Sequence, residues 1–506
     1  MLKKFLQTAL AAVISFATIC AALPITVAHA ENPIVQTAYT PDPAPMVYND
    51  TFYFYTGHDA DGASYFTMTD WRCYSTTDMK NWVDHGAVLS YTDFEWADPD
   101  SCWAAQCVER DGKFYLYVTL STTAAGGARA IGVAVSDSPT GPFKDAIGKP
   151  LCGPDWAYID PTVLIDDDGQ AYLYFGNPTL HYVKLKKNMI ELDGEITATN
   201  MTSEQFGSNE NADSLYTEGP WIYKRNGIYY MVYAASGIPE TIDYSTSDSP
   251  IGPWKYQGRI MDNCPTSFTI HPGIIEYKGH AYYTYHTGDL EGGGGFTRSG
   301  AIEEFKFGSD GSIPHIDPTR EGPDQIEYFN PYKPNEAETI CFEKGIKTVR
   351  GENGIYVTKA SKDDYIKVAG VNFAEKATGF TTSACAVRAD GTINIRLDSP
   401  DGEIIGSVTL PEGEDDEAFK TVSCDISGAS GVHDLYFTFD VSVNRGYVNF
   451  DTWQFDGIYS EDDFAAAPAS IKSSDRTTVF VIMIAVVAVV VVAAVVVLLR
   501  RKSGKK

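Results

Sequence analysis

Asp42–Tyr55 reads DPAPMVYNDTFYFY: an apolar stretch, a polar turn, then an aromatic stretch. The same design returns four times. Trp103–Tyr117 is WAAQCVERDGKFYLY, Asp160–Tyr174 is DPTVLIDDDGQAYLY, Glu218–Tyr233 is EGPWIYKRNGIYYMVY, and His271–Tyr285 is HPGIIEYKGHAYYTY. Alternation on both sides of such a turn is the signature of a β-hairpin. Counted from the leading residue, Tyr115, Tyr172, Tyr230 and Tyr283 occupy the same position; the first copy has a shorter turn and places Tyr53 one earlier. The leaders stand roughly 45 to 60 residues apart, the spacing of propeller blades. A second repeat agrees: SDSPTGPF at Ser136–Phe143 returns as SDSPIGPW at Ser247–Trp254, with a looser copy, STTDMKNW, at Ser75–Trp82. These hairpins predict a five-bladed β-propeller over residues 31–315. Inner strands line a propeller's central channel, so Asp42, Trp103, Asp160, Glu218 and His271 are expected to meet at one end of it.

Three of those leaders are acids. A protonated carboxyl beside a leaving oxygen, paired with an ionised carboxylate that activates water, is the equipment of glycosidic cleavage. A third carboxylate raises the acid's pKa by repulsion. A single Asp-Pro is usually only a turn; three acids at matching repeat positions, among 31 Tyr, 25 Phe and 8 Trp, carry more weight. Aromatic faces suit sugar rings, although most of these rings must pack sheets.

Composition narrows the partners. The chain of 506 residues carries 39 Lys+Arg against 67 Asp+Glu, a formal charge of −28. Nucleic acid is bound mainly by Lys and Arg, so it is excluded as a partner. With 44% hydrophobic and 21% charged residues the chain is globular.

The two ends read as targeting segments. Residues 1–30 have a basic start at Lys3 and Lys4, an apolar run, and Ala28-His29-Ala30, the pattern of a secretory signal peptide. Val479–Leu499 is 21 apolar residues without interruption, followed by Arg500-Arg501-Lys502. This predicts one transmembrane helix over 479–499 with a cytoplasmic basic tail, 500–506. The expected location is the extracellular face of the cell membrane, the protein tethered through a stalk at 459–478. Eight Cys remain after signal cleavage, and the spacing leaves their pairing open.

Residues 316–334 read as a linker. Beyond it, 335–458 alternates with period two, as in Thr392–Leu397, Leu435–Phe439 and Tyr447–Phe450, and predicts a β-sandwich of jelly-roll type. The whole is therefore expected to be all-β apart from its terminal segments.

The stretches NPIVQTAYTPDPAPMVYNDTFYFYTGHD, WAYIDPTVLIDDDGQAYLYFGN and YTEGPWIYKRNGIYYMVY resemble glycoside hydrolase family 43, and FTMTDWRCYSTTDMKNWVDHG resembles its arabinoxylan arabinofuranohydrolases. The resemblance implies an inverting mechanism. Asp42 matches the general base, Glu218 the general acid, and Asp160 the residue that modulates and orients the acid. It implies sugar contact at Arg298, for which the bare sequence also allows a surface arginine beside a Gly loop. Trp103 is a sugar platform or a packing residue, and His58 a further pocket residue. It also implies a cation, usually calcium, with His271 below the site; a hydrogen-bonded channel histidine is the other reading.

In the second domain NEAET, INIRLDSPDGEIIGSV, TVSCDISGASGVHDLYFTF and GYVNFDTWQF resemble carbohydrate-binding module family 6. Asn449 matches a sugar hydrogen-bonder. Glu336, Glu338 and Asp451 match a structural calcium site, or else form a solvated acidic edge. Lys359 and Asp416 stand where the family's two stacking aromatics belong. The implied activity is release of α-L-arabinofuranosyl side chains from arabinoxylan of plant cell walls. A β-xylosidase or arabinan-cleaving enzyme on the same residues, and a non-catalytic glycan-binding surface protein, are the alternatives.

Overall fold

The computed structural model describes residues 32–464 apart from 124, 125, 414 and 444. Each hairpin read from the sequence forms the inner half of a sheet. In the first sheet Ala44–Tyr48 pairs with Thr51–Thr56, and Asp70–Thr76 and Trp82–Ser90 follow outward. The other inner strands are Trp103–Arg110, Thr162–Ile165, Tyr216–Arg225 and Gly273–Tyr277, each antiparallel to the strand that follows it. Every inner strand touches the inner strands of the blades before and after it, and the fifth closes onto the first. Five blades round one axis result. Alternation is visible in the first blade, where Phe52 and Phe54 are buried and Thr51 and Tyr53 half-buried.

The last blade has three strands. Residues from the start of the described chain run beside it: Ile34 N–H donates to Gly300 C=O, 3.0 Å. The buried Asn32 amide donates to Ile302 C=O, the Glu303 carboxylate and Thr319 C=O. The first and last segments of the propeller thus meet in one blade, which fastens the ring.

Two five- and six-stranded sheets form the sandwich, centred on Phe380, Phe437, Phe450, Trp453 and Phe455. It is not loosely tethered. Thr339–Ile340 pairs antiparallel with Val83 and Trp82, adding a strand to the outer edge of the first blade. Asn81 exchanges two side-chain bonds with the Ala369 backbone, 2.9 and 2.7 Å, and Lys347 Nζ reaches Thr37 C=O. The connecting residues pack as well. Ile313 and Ile316 are buried in the core shared by the fourth and fifth blades, and Phe329 stacks on Trp453. Tyr459, at the start of the expected stalk, lies flat on Tyr332 with centroids 4.3 Å apart.

The fold class and location expected from the C-terminal apolar run are corrected here. Among the described residues no helix is long and apolar enough to cross a membrane; the α-helix Ser203–Phe206 has four residues. A transmembrane helix and a membrane-face location are therefore not carried by the structure. The run 479–499, the basic tail and the signal segment 1–30 lie outside the described residues. Of the eight Cys in residues 32–464 seven are buried, as small apolar packing groups are.

Candidate active site

At one mouth of the channel Asp42, Asp160 and Glu218 line a single cavity of about 120 Å³ with Trp103, Arg129, Glu240, His271, His286 and Arg298. A larger groove, about 560 Å³, runs between propeller and sandwich past Tyr39, Glu291, Lys344 and Tyr365, and holds none of the repeat leaders. The acids are therefore gathered in the smaller cavity. Its size is well below the ~300 Å³ of pockets that engulf a drug-sized ligand, and suits one sugar unit.

Asp42 and Asp160 each stand two residues before their inner strand, in the left-handed backbone region, φ 54° and 59°. Asp tolerates that region better than most residues, and the turn aims the carboxyl across the channel instead of along the sheet. Glu218 sits inside its strand, but register shifts on both sides of it bend the strand at that point. Gly219 needs to be glycine. Its φ is 56°, its N–H donates to Asp160 Oδ2 at 2.9 Å, and an added Cβ would lie 3.1 Å from His271 Nδ1.

Arg298 organises the Asp42 side of the cavity. It is buried, with Nη1 donating to Asp42 Oδ1 at 3.0 Å and Nε and Nη2 donating to Asp59 at 3.0 and 2.9 Å. Its guanidinium also lies over the Phe66 ring, 4.9 Å from the centroid. Burial alone would raise the pKa of Asp42; Arg298 and His286 outweigh it and hold the carboxyl well below the usual range. Asp42 is thus ionised. Asp160 is set the other way: burial, then Glu218 and Asp42, push it well above the carboxylate range, against the Gly219 N–H and Arg129. Asn177 donates to Glu218 Oε2.

The remaining expected residues separate. Trp103 lines the cavity, its indole N–H donating to Phe66 C=O, 3.1 Å. Arg129 lies between Trp103 and Trp156, 5.4 and 5.9 Å from their centroids. His58 is not among the lining residues; its Nδ1 pairs with Asp70 Oδ2 at 2.8 Å, and its neighbour Asp59 is the one tied to the site. Asn449 is 0% exposed. Its Oδ1 accepts from Thr358 Oγ1 and Lys359 N, and its Nδ2 donates to Asp416 C=O. With its amide spent inside the fold, it has nothing to offer a sugar in this conformation. Sequence reasoning missed Glu240, Asp59, and the aromatic rim at Tyr65 and Trp156, which are 61% and 62% exposed. The rim rings follow no repeat register.

His271 in the propeller and Glu336, Glu338 and Asp451 in the sandwich are the residues that would hold a cation. His271 is brought to the cavity, and burial lowers it to about 4 despite Asp42, so it is neutral. The nearest carboxylate, Asp42, is committed to Arg298, and the other imidazole, His286, to Thr269 C=O and Asp42. In the sandwich, Glu338 Oε2 is buried without a hydrogen-bond donor, and burial, with Glu336, Asp84 and Asp451 adding repulsion, raises Glu338 to about 9. Among the described residues no group of three or more His, Cys, Asp or Glu side chains is placed to hold a metal ion.

Comparison with known proteins agrees with the site. The family model for glycosyl hydrolases family 43 matches residues 30–313, and that for carbohydrate binding module family 6 matches 336–457. An arabinoxylan arabinofuranohydrolase of Bacillus subtilis (strain 168) is 30% identical over 487 residues, covering 84% of this chain and 92% of the relative. The crystal structure of a family 43 arabinoxylan arabinofuranohydrolase from Bacillus subtilis, in complex with cellotetraose, superposes with TM-score 0.75 at 28% identity, over 85% of this chain and 98% of that one. A β-xylosidase/α-arabinofuranosidase from a compost metagenome, solved with xylotriose in a calcium-free form, gives TM-score 0.51 at 29% identity, covering 56% of this chain and 96% of that one. With more than half its length matched and its acid trio gathered in one cavity, this chain belongs to glycosyl hydrolase family 43.

Proposed function

We propose that this protein is an inverting glycoside hydrolase that removes α-L-arabinofuranosyl side chains from arabinoxylan. The observation that carries the reading is the gathering of Asp42, Asp160 and Glu218 round one cavity, with Arg298 bonded to Asp42 and the Gly219 N–H to Asp160. Arg298 and His286 hold Asp42 low, and burial and its neighbours push Asp160 up. In the proposed cycle Asp42 takes a proton from a water that attacks the anomeric carbon. Glu218, on the opposite side, gives its proton to the departing glycosidic oxygen. One C–O bond breaks, one forms, and the configuration inverts. Asp160 withholds negative charge from beside Glu218 and fixes Gly219 through its N–H, so the acid keeps its aim. A one-sugar cavity favours removal of a single side-chain residue over cleavage within a long main chain. The relatives named arabinoxylan arabinofuranohydrolase support the substrate.

A second reading, β-xylosidase action on the same acids, is supported by the likeness to the xylotriose-bound enzyme. One experiment separates the two: product analysis on arabinoxylan, arabinan and xylo-oligosaccharides. Free arabinose with an intact xylan chain is expected. Release of xylose from chain ends without arabinose would overturn the assignment.

A further inference from the structure

Glu240 lies in the fourth blade, at the foot of the third strand, Thr241–Ser247. Pairing runs Glu218 to Ala234 and Ala234 to Ile242, so Ile242 shares a row with Glu218. Glu240, two residues earlier, faces the same side by the period-two rule. It is 2% exposed and lines the cavity. Its backbone N–H donates to Phe268 C=O and its Oε2 accepts from Ile270 N, both at 3.0 Å. Oε1 is buried and meets no N–H or O–H donor among the described residues. The acid it shares the cavity and the sheet face with is Glu218. Two carboxyl groups that share a buried cavity escape mutual repulsion when a proton lies between them.

We propose that Glu240 is a positioning residue that shares a proton with Glu218 and keeps that acid loaded for donation. The inference rests on Glu218 being the acid of the proposed reaction. Removing the last proton from the pair would leave two adjacent negative charges out of water. The pair therefore holds that proton to higher pH than a single glutamate would. Burial, then Glu218, push Glu240 well above the carboxylate range, in line with this geometry. Asp160, from the third blade, is the other acid that faces the pair in this cavity. Across the cavity stand neutral His271, His286, ionised Asp42 and Arg298, whose positive charge is spent on Asp42 and Asp59.

The test uses Glu240→Gln in the full chain, with 2,4-dinitrophenyl α-L-arabinofuranoside, whose leaving group needs little protonation, beside an arabinoxylo-oligosaccharide, whose leaving group needs it. Glutamine keeps the shape but removes the shared proton and donates an N–H to the Glu218 carboxylate. The basic limb of kcat/KM on the oligosaccharide is expected to move down by about one pH unit or more. Turnover above neutrality should fall about tenfold on the oligosaccharide and less than about threefold on the dinitrophenyl substrate. An unmoved basic limb, or an equal loss on both substrates, overturns the proposal while leaving the hydrolase reading intact. Wild type inert on both substrates overturns the hydrolase reading itself. Should the variant not fold, carboxyl ¹³C NMR titration of Glu-labelled wild type decides: two signals moving together in two steps support sharing, and independent single steps overturn it.

Discussion

Replacing Arg298 by Met tests how the propeller keeps its base ionised. Met retains the apolar stem over Phe66 but removes one hydrogen bond to Asp42 and the two side-chain bonds to Asp59, all within 3.0 Å. Removing one partner of a buried ion pair costs ~3–5 kcal/mol. Arg298 serves two carboxylates, so about half of that, ~1.5–2.5 kcal/mol, falls on Asp42. At ~1.4 kcal/mol per unit this is an upward move of ~1–2 pH units, and burial is then left to raise the group further. In wild type the folded pKa of Asp42 is depressed, so its stabilising contribution is present above the unfolded value of 3.8 and is lost as pH falls through the folded value. The variant forfeits that contribution at neutral pH, and Tm should drop by roughly 3–8 °C. The assay is kcat/KM on 4-nitrophenyl α-L-arabinofuranoside from about pH 3 to pH 8, read beside a thermal melt. The acid limb should rise by at least one to two units, and Arg298→Lys should fall between the two proteins. An acid limb within about half a unit of wild type, in a variant that still melts cooperatively, would falsify the idea that Arg298 sets the base.

Hydrolysis of an α-linked substrate should give the β-anomer first by proton NMR, and initial release of the α-anomer would rule out inversion. Gly219→Ala must force a Cβ to 3.1 Å from His271 Nδ1 at φ 56° and shift the donor to Asp160; a loss of about a hundredfold in kcat is expected from such misplacement, with undiminished kcat refuting it. His85, bonded to Ser75 Oγ at 2.7 Å, is lowered by burial to about 4, as is His271. A depressed folded pKa gives stability above the unfolded value of 6.5 that is lost as pH falls toward 4. Melts should therefore weaken over that window by up to ~3 kcal/mol per histidine, and His85→Gln should flatten the slope; an unchanged slope in that variant counts against it.

The ring of leaders was legible because a propeller repeats its register: a residue fixed relative to one hairpin turn is fixed relative to the channel. Glu240 was not, because it belongs to a third strand and the hairpins compare only the first two. Nor was the fate of Asn449. Its partners, Thr358, Lys359 and Asp416, come from other strands and loops, and a matching residue type says nothing of who has already claimed its amide. The pair His58–Asp59 shows the limit in miniature: both are polar and adjacent, yet a one-residue step turns one toward Asp70 and the other toward Arg298. The apolar run 479–499 was judged by length and composition alone, and it falls outside the residues whose structure is described.

The short strand Thr339–Ile340 carries a practical consequence. Because it caps Trp82 and Val83, cutting the chain before it would not free a clean catalytic half. It would bare the backbone donors and acceptors of Trp82 and Val83 at the start of blade one's outermost strand, and uncover the hydrophobic side of Trp82. Such an open edge recruits strands from other molecules. A shortened enzyme made without its sandwich should clump, and any comparison of the two lengths would measure that stickiness before it measured sugar binding.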